Sequence, residues 1–243
     1  MTIFQILSTG ATIDTGDSIT LANFVLKFPT LNGQITDAVN VKPNVHATWD
    51  PVNHVWVRNI PAEVSAAASA QNTTVNNTCN ANIATDISFT TQAGVSKTFW
   101  ADPASINELT LAVQSASLPG QSLPANFYWK ATDGTQVPFT ITDLQNLLAA
   151  YSTRRWNEFA SLETKLASIA KVAATPVWSA QTATQGEEIL DNLGNVWKCT
   201  TGGATSTTMP VFPASPAAGA TVADGAAVWT YVNAIASIIK AII

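Results

Sequence analysis

The chain of 243 residues carries 11 basic and 16 acidic side chains, a net charge of −5, which argues against a protein that grips nucleic acid through its phosphates. Hydrophobic residues make up 47% and charged residues only 11%, against ~25% charged in ordinary domains, with Ala, Thr, Ser and Asn filling the gap. Eight Trp in a chain so poor in charge argue against disorder and for packed cores or interfaces.

Residues 1–65 read as an N-terminal β-domain. "ITLANFVLKF" and "HVWVRNI" are rich in β-branched and aromatic residues. Asn32-Gly33 is a hairpin-turn signal and Asp50-Pro51 a second turn. "ATWDPVNHVWV" predicts a tight hairpin that brings Trp49 and Trp56 together. Residues 66–85 are poor in large apolar groups and read as a linker, whose Ala run has the composition for a short helix.

Residues 86–173 predict a central hairpin-and-helix domain. A first hairpin turns at Ala93-Gly94, and a helix follows with Asp102 as N-cap and Pro103 at its first position. Ile106, Leu109 and Val113 share one face of it. A second hairpin turns at Asp133-Gly134. A long helix over 142–173 comes next, with Thr142 as N-cap and no interior Gly or Pro, spanning about 45 Å. Phe159, Leu162, Leu166 and Ile169 recur on it at heptad spacing. Extended back, the seam reaches Leu148 but also Ser152 and Arg155, so a helix packed on its own domain and a symmetric coiled coil are both compatible with it.

Residues 174–232 predict a small β-module. Its turns fall at Asn192-Leu193-Gly194, Gly202-Gly203 and Asp224-Gly225, and Trp178, Trp197 and Trp229 mark successive strands. The apolar tail 233–243 is too short to cross a bilayer. It is expected to lie against a partner subunit or on the core. The predicted class is therefore α+β: an N-terminal β-domain, a central β-hairpin/helix domain ending in a long helix, and a small C-terminal β-module.

Catalytic motifs are missing. There is no GxSxG and no HExxH, and "TGGATS" lacks the Lys of a phosphate loop. Cys79 and Cys199 have neither zinc spacing nor a disulfide framework; two buried thiols are expected, with one long-range disulfide left open. His46 and His54 both fall in the first hairpin region; a metal pair needs them on one face, and two histidines near a turn read first as ordinary surface residues. Glu187, Glu188 and Asp191 read as a solvated acidic turn. No enzyme, cofactor or metal is expected. The aromatics are the better candidates: Trp178, Trp197, Trp229 and Tyr231 stack on a sugar or a protein partner if they lie on the surface. In a module this small they otherwise form the core.

The C-terminal module also resembles one common in tail and fibre proteins of tailed bacteriophages. The residues that carry the likeness are Pro176 and Trp178, Gly186 to Glu188, Gly194 to Cys199, Thr201 to Ser206, Pro210 to Phe212, and Asp224 to Thr230. Trp197 stands where Tyr is commoner. The stretch "KTFWADPASINELTLAVQSA", with Trp129, Asp133-Gly134 and the long helix after it, is similar to a phage tail domain of unknown function. The resemblance implies a structural virion protein: a tail-fibre, tail-tip or baseplate component made in the host bacterial cytoplasm. Its expected partners are itself, as a homotrimer about the seam, other tail or baseplate proteins, and a glycan or protein of the host surface. The competing expectation is a tail-fibre assembly factor absent from the mature virion. No nucleic acid and no membrane span are expected: the N-terminus lacks the basic and apolar regions of a signal peptide, and no apolar stretch reaches 18 residues.

Overall fold

The computed structural model describes residues 3–6, 12–14, 35–37, 45–50, 52 and 55–243. The strand "ITLANFVLKF", the Asn32-Gly33 turn, Pro51 and His54 lie outside these residues. The architecture is α+β, with helices and several small antiparallel sheets. It divides into two compact units, one of residues 1–68 and 172–241, the other of residues 69–171 with 242–243.

In the first unit, β1 (Ile3–Ile6) lies between β2 (Thr12–Asp14) and β3 (Ile35–Asp37), antiparallel to both. β4 (Thr48–Asp50) and β5 (Val55–Val57) form the expected hairpin, with Trp49 opposite Trp56 and their rings edge to face at 5.4 Å. The Asp50 carboxylate accepts the Val52 N–H at 2.9 Å, which starts the turn.

The segment read as a linker is instead part of a 25-residue helix, α1 (Ile60–Ala84). Asn59 caps it, its side-chain oxygen accepting the Ala62 N–H at 3.1 Å. The buried positions are Ile60, Val64, Gln71, Val75 and Cys79, a narrow stripe one residue wide. Small polar residues fill the rest, so the apolar periodicity is faint. Thr73, Thr74 and Thr78 each donate a hydroxyl to the carbonyl four residues back, and the Asn76 amide does the same. Side chains that usually compete with a helix thus satisfy themselves within it.

The second unit contains the same motif twice, hairpin then helix. β6 (Ile87–Thr90) and β7 (Ser96–Phe99) precede α2 (Pro103–Ala116); β8 (Tyr128–Lys130) and β9 (Gln136–Pro138) precede α3 (Ile141–Ala173). Thr91 and Ala131, Gly94 and Gly134, and Phe99 and Phe139 are equivalent pairs at a constant offset. Both turns close identically: the Thr91 N–H donates to the Val95 carbonyl at 3.0 Å and the Ala131 N–H to the Thr135 carbonyl at 2.9 Å. A hydrogen bond from the Thr132 N–H to the Thr98 carbonyl (2.9 Å) ties the hairpins together, and Phe99 meets Phe139 edge to face at 5.3 Å. Leu109, Leu144, Leu147 and Tyr151 complete this core, with Ile106 and Val113 packed at its edge as their spacing predicts.

The helix starts show how local chemistry sets boundaries. Asp102 caps α2, accepting the Ala104 and Ser105 N–H groups at 3.0 Å each, with Pro103 following as expected. The cap of α3 is Thr140, not Thr142. Thr140 Oγ1 accepts the Asp143 N–H at 3.1 Å while the Asp143 carboxylate accepts the Thr140 N–H at 2.9 Å, a reciprocal box. The same carboxylate takes the Gln92 N–H at 2.7 Å, so a buried Asp joins the first turn to the long helix. Further along, α3 is tied to the end of α1: Asn82 donates to Glu158 at 3.0 Å and Arg154 to the Ile83 carbonyl at 3.3 Å.

The C-terminal part of the first unit is a four-stranded antiparallel sheet in the order β11 (Glu188–Leu190), β12 (Asn195–Thr201), β15 (Ala227–Ala234), β14 (Thr221–Asp224). A short pair, β10 (Thr182–Ala183) with β13 (Gly203–Ala204), lies beside it in sequence. Gly202-Gly203 carries the chain from β12 into β13. A Cβ on Gly202 would meet the Ala183 carbonyl at 2.9 Å, and one on Gly203 would meet Ala226 at 2.8 Å, so only glycines fit the crossing. The apolar tail forms α4 (Ile235–Lys240), with Ile235 and Ile239 buried. Of the two expectations for it, docking on the core is the one adopted, within a single chain. Arg58 completes that corner: it pairs with Glu63 through two hydrogen bonds and donates to the Leu193 carbonyl at 2.6 Å.

Candidate functional site

The aromatic residues singled out in the C-terminal module do come together, but as its core. Trp197 on β12 and Trp229 on β15 are both 0% exposed, so neither ring is available to a host surface. Trp197 packs on Phe212 at 4.8 Å and on Tyr231 at 5.5 Å. Trp178 and Tyr231 are half-buried against the same cluster. Trp178 is not on a strand of the sheet: it follows a single parallel bridge between Val177 and Leu190. The reason is size. A module this small has few other large groups to bury, so the indoles fill the core on one face of its sheet.

Buried indoles need partners for their N–H groups, and two carboxylates provide them. Asp224 accepts the indole N–H of Trp178 at 2.8 Å and of Trp229 at 3.0 Å, and also the Ser206 N–H at 2.8 Å. Asp191 accepts the Trp197 indole N–H at 2.9 Å, the Asn195 backbone and side-chain N–H groups at 2.9 Å each, and the Leu193 N–H at 2.8 Å. Asp191 is therefore fully buried and organises its turn, not a member of a solvated acidic patch. Glu187 is likewise engaged, by Gln181 at 2.7 Å and the Thr184 N–H at 3.0 Å. Sequence reading took Asp224 for a turn former alone. The signal for more was its position five residues before a Trp, a spacing with no general meaning until β14 and β15 are paired.

For Asp224 burial opposes ionisation, yet the hydrogen bonds from Trp178, Ser206 and Trp229 outweigh it and hold the carboxyl below its ordinary value. For Asp143 burial is again outweighed, here by the hydrogen bonds from Thr140 and Gln92. A folded-state pKa below the unfolded one adds stability that is fully present above the unfolded value, near 3.9, and lost as pH falls through the folded value. Urea midpoints should therefore be level between pH 7 and 5 and fall steeply below pH ~4. A midpoint that is unchanged at pH 3 would show that neither carboxylate contributes.

Cys79 and Cys199 are both free and buried. Burial raises the pKa of each thiol, and Cys199 donates to the Thr201 carbonyl at 3.1 Å. Both are thus poor nucleophiles. Among the described residues, no group of three or more His, Cys, Asp or Glu is placed to hold a metal ion. No helix among them is long and apolar enough to cross a membrane.

The heptad seam of α3 is divided between two environments. Leu148 packs on the second unit's own core, and Ile169 is buried within the single chain. Leu162 and Leu166 are half-buried. Phe159 is exposed with Arg155 over its ring at 5.4 Å, and Trp156, outside the expected seam, is 74% exposed. The coiled-coil reading therefore loses both ends of its seam to intrachain packing and keeps its middle.

Comparison with known proteins finds one match. No curated protein and no solved structure matches the chain. Residues 63–184, half of the chain, match a domain of unknown function (DUF4376). This span covers most of α1, both hairpin–helix repeats and the entry to the C-terminal module, so the chain belongs to the DUF4376 family.

Proposed function

We propose that this protein is a structural component of a tailed-bacteriophage virion, in the tail fibre, tail tip or baseplate, and that it is not an enzyme. The observation that carries the reading is the module of residues 176–230. The order of motifs there resembles a phage tail module, and each motif has a defined role in one packed unit. Pro176 accepts the Leu190 N–H at 2.8 Å, Trp178 and Asp224 bond to each other, and Phe212 seals Trp197. Gly186 and Gly194 occupy positive-φ turn positions, at 93° and 79°. Such a pattern describes a durable joint better than a ligand site. The low charge supports the same reading, because faces covered by neighbouring subunits need few charges to stay soluble.

Self-association as a homotrimer rests on the middle of α3. Trp156 and Phe159 project from a helix of 33 residues, about 50 Å long, which is long enough to serve as a shared axis. Light scattering on the purified chain should give three times the mass of the 25.6 kDa protomer. Mass spectrometry of purified particles should find the chain in a fixed ratio to the other tail proteins. Its absence from mature particles would replace this reading with that of an assembly factor.

A further inference from the structure

Outside the C-terminal module, the second unit carries a groove of about 300 Å³ lined by Trp100, Ser105, Glu108, Tyr128, Trp129 and Lys130. We propose that this groove binds a neutral saccharide. The size lies at the lower end of the ~300–1,000 Å³ typical of ligand clefts. The proposal does not depend on the virion reading, since it uses only this groove's geometry.

The chemistry of the lining argues for a polyol. Trp100 is 37% and Tyr128 47% exposed, so part of each ring is open to solvent at the groove. Flat aromatic faces suit the C–H faces of pyranose rings, while the indole N–H and phenol O–H remain for hydroxyls. Around them stand an acceptor-only carboxylate, Glu108, and a donor-only ammonium, Lys130. Both are exposed, and among the described residues neither side chain has a hydrogen-bond or ion-pair partner. A sugar hydroxyl both donates and accepts, so it matches the two groups at once. An anionic ligand gains nothing net, because the two charges cancel.

Rigid elements set the lining. Tyr128 and Lys130 are alternate residues of β8 and share one face of it, and Trp129 between them is partly buried against the core. Trp100 follows β7 directly, and its carbonyl accepts the buried Tyr151 hydroxyl at 2.8 Å, which fixes the backbone beneath it. Ser105 and Glu108 lie on successive turns of α2, whose start is locked by Asp102. No segment has to order on binding, so little entropy is lost there.

The test uses the labelled full chain on an array of immobilised neutral gluco-, galacto-, manno- and N-acetylglucosamine oligosaccharides, with hits titrated by calorimetry. At least one oligosaccharide should be retained. The double variant Trp100→Ala/Tyr128→Ala should weaken it by about tenfold or more, the scale of ~1.4 kcal/mol of lost stacking. Glu108→Gln, which leaves the fold's contacts intact, should weaken it several-fold, and Val211→Ala, at a position 94% exposed and outside the groove, should leave it unchanged. Circular dichroism of each variant separates lost binding from lost folding. Retention of no oligosaccharide above the level of the double variant would overturn the proposal. So would equal binding by the double variant, or retention of anionic saccharides only. None of these results bears on whether the chain is present in particles.

Discussion

Replacing Asp224 by Ala should unfold the C-terminal module at far lower denaturant than the parent chain, with a loss of about 3–5 kcal/mol. Three donors converge on this one side chain: two indole N–H groups and the Ser206 N–H. Trp229 is fully buried and Trp178 half-buried, so the orphaned donors have limited access to replacement water. Each buried donor left without an acceptor costs about 1–3 kcal/mol, and charged acceptors make the stronger bonds. Asp224→Asn should cost less, about 1–2 kcal/mol, because one oxygen still accepts while the new amide N–H₂ faces a donor. Tryptophan fluorescence during urea titration reads both variants, since the indoles themselves are the probes. If Ala and Asn cost the same small amount, under about 0.5 kcal/mol, the carboxylate is not the centre of this core.

The second large effect is expected in the other unit. Phe99→Ala should cost about 3–5 kcal/mol, as for other buried aromatic truncations. Phe99 is 0% exposed and meets both Phe89, at 6.4 Å, and its repeat equivalent Phe139, at 5.3 Å. Truncation empties the seam between the two hairpins, which are short and cannot collapse into the space without breaking the Thr132–Thr98 hydrogen bond. Phe99→Leu keeps most of the volume and should cost about half as much. The contrast with Asp224 is informative. The Phe99 change should lower the far-ultraviolet helical signal first, because α2 and α3 pack on that core. The Asp224 change should act on tryptophan fluorescence first. Coincident loss of both signals in both variants would mean that the two units unfold as one.

Several elements were legible in the residues alone because their causes are local. The Trp49–Trp56 hairpin, the Gly94 and Gly134 turns, and the Asp102-Pro103 helix start follow from a few adjacent residues. The long helix was legible for the same reason, since nothing in it interrupts the pattern. Its cap was misplaced by two residues because Thr140 and Thr142 are equally good caps in isolation. Asp143 decides between them, since only Thr140 lies three residues before it.

What the sequence by itself determined was the α+β class and the turns at Gly94, Gly134, Gly194 and Gly225. Tertiary structure alone decided three matters. It made a helix of residues 60–84, because a stripe of Val64, Gln71, Val75 and Cys79 is too thin to register as amphipathic until something covers it. It turned Trp197 and Trp229 from surface candidates into core, because side-chain burial depends on strand pairing between residues about thirty apart. And it gathered Trp100, Tyr128, Glu108 and Lys130 into one groove, from a hairpin end, a strand and a helix that no short-range pattern connects. In each case the deciding term is burial of one segment against another distant in sequence, and that term has no counterpart in the residues read one after another.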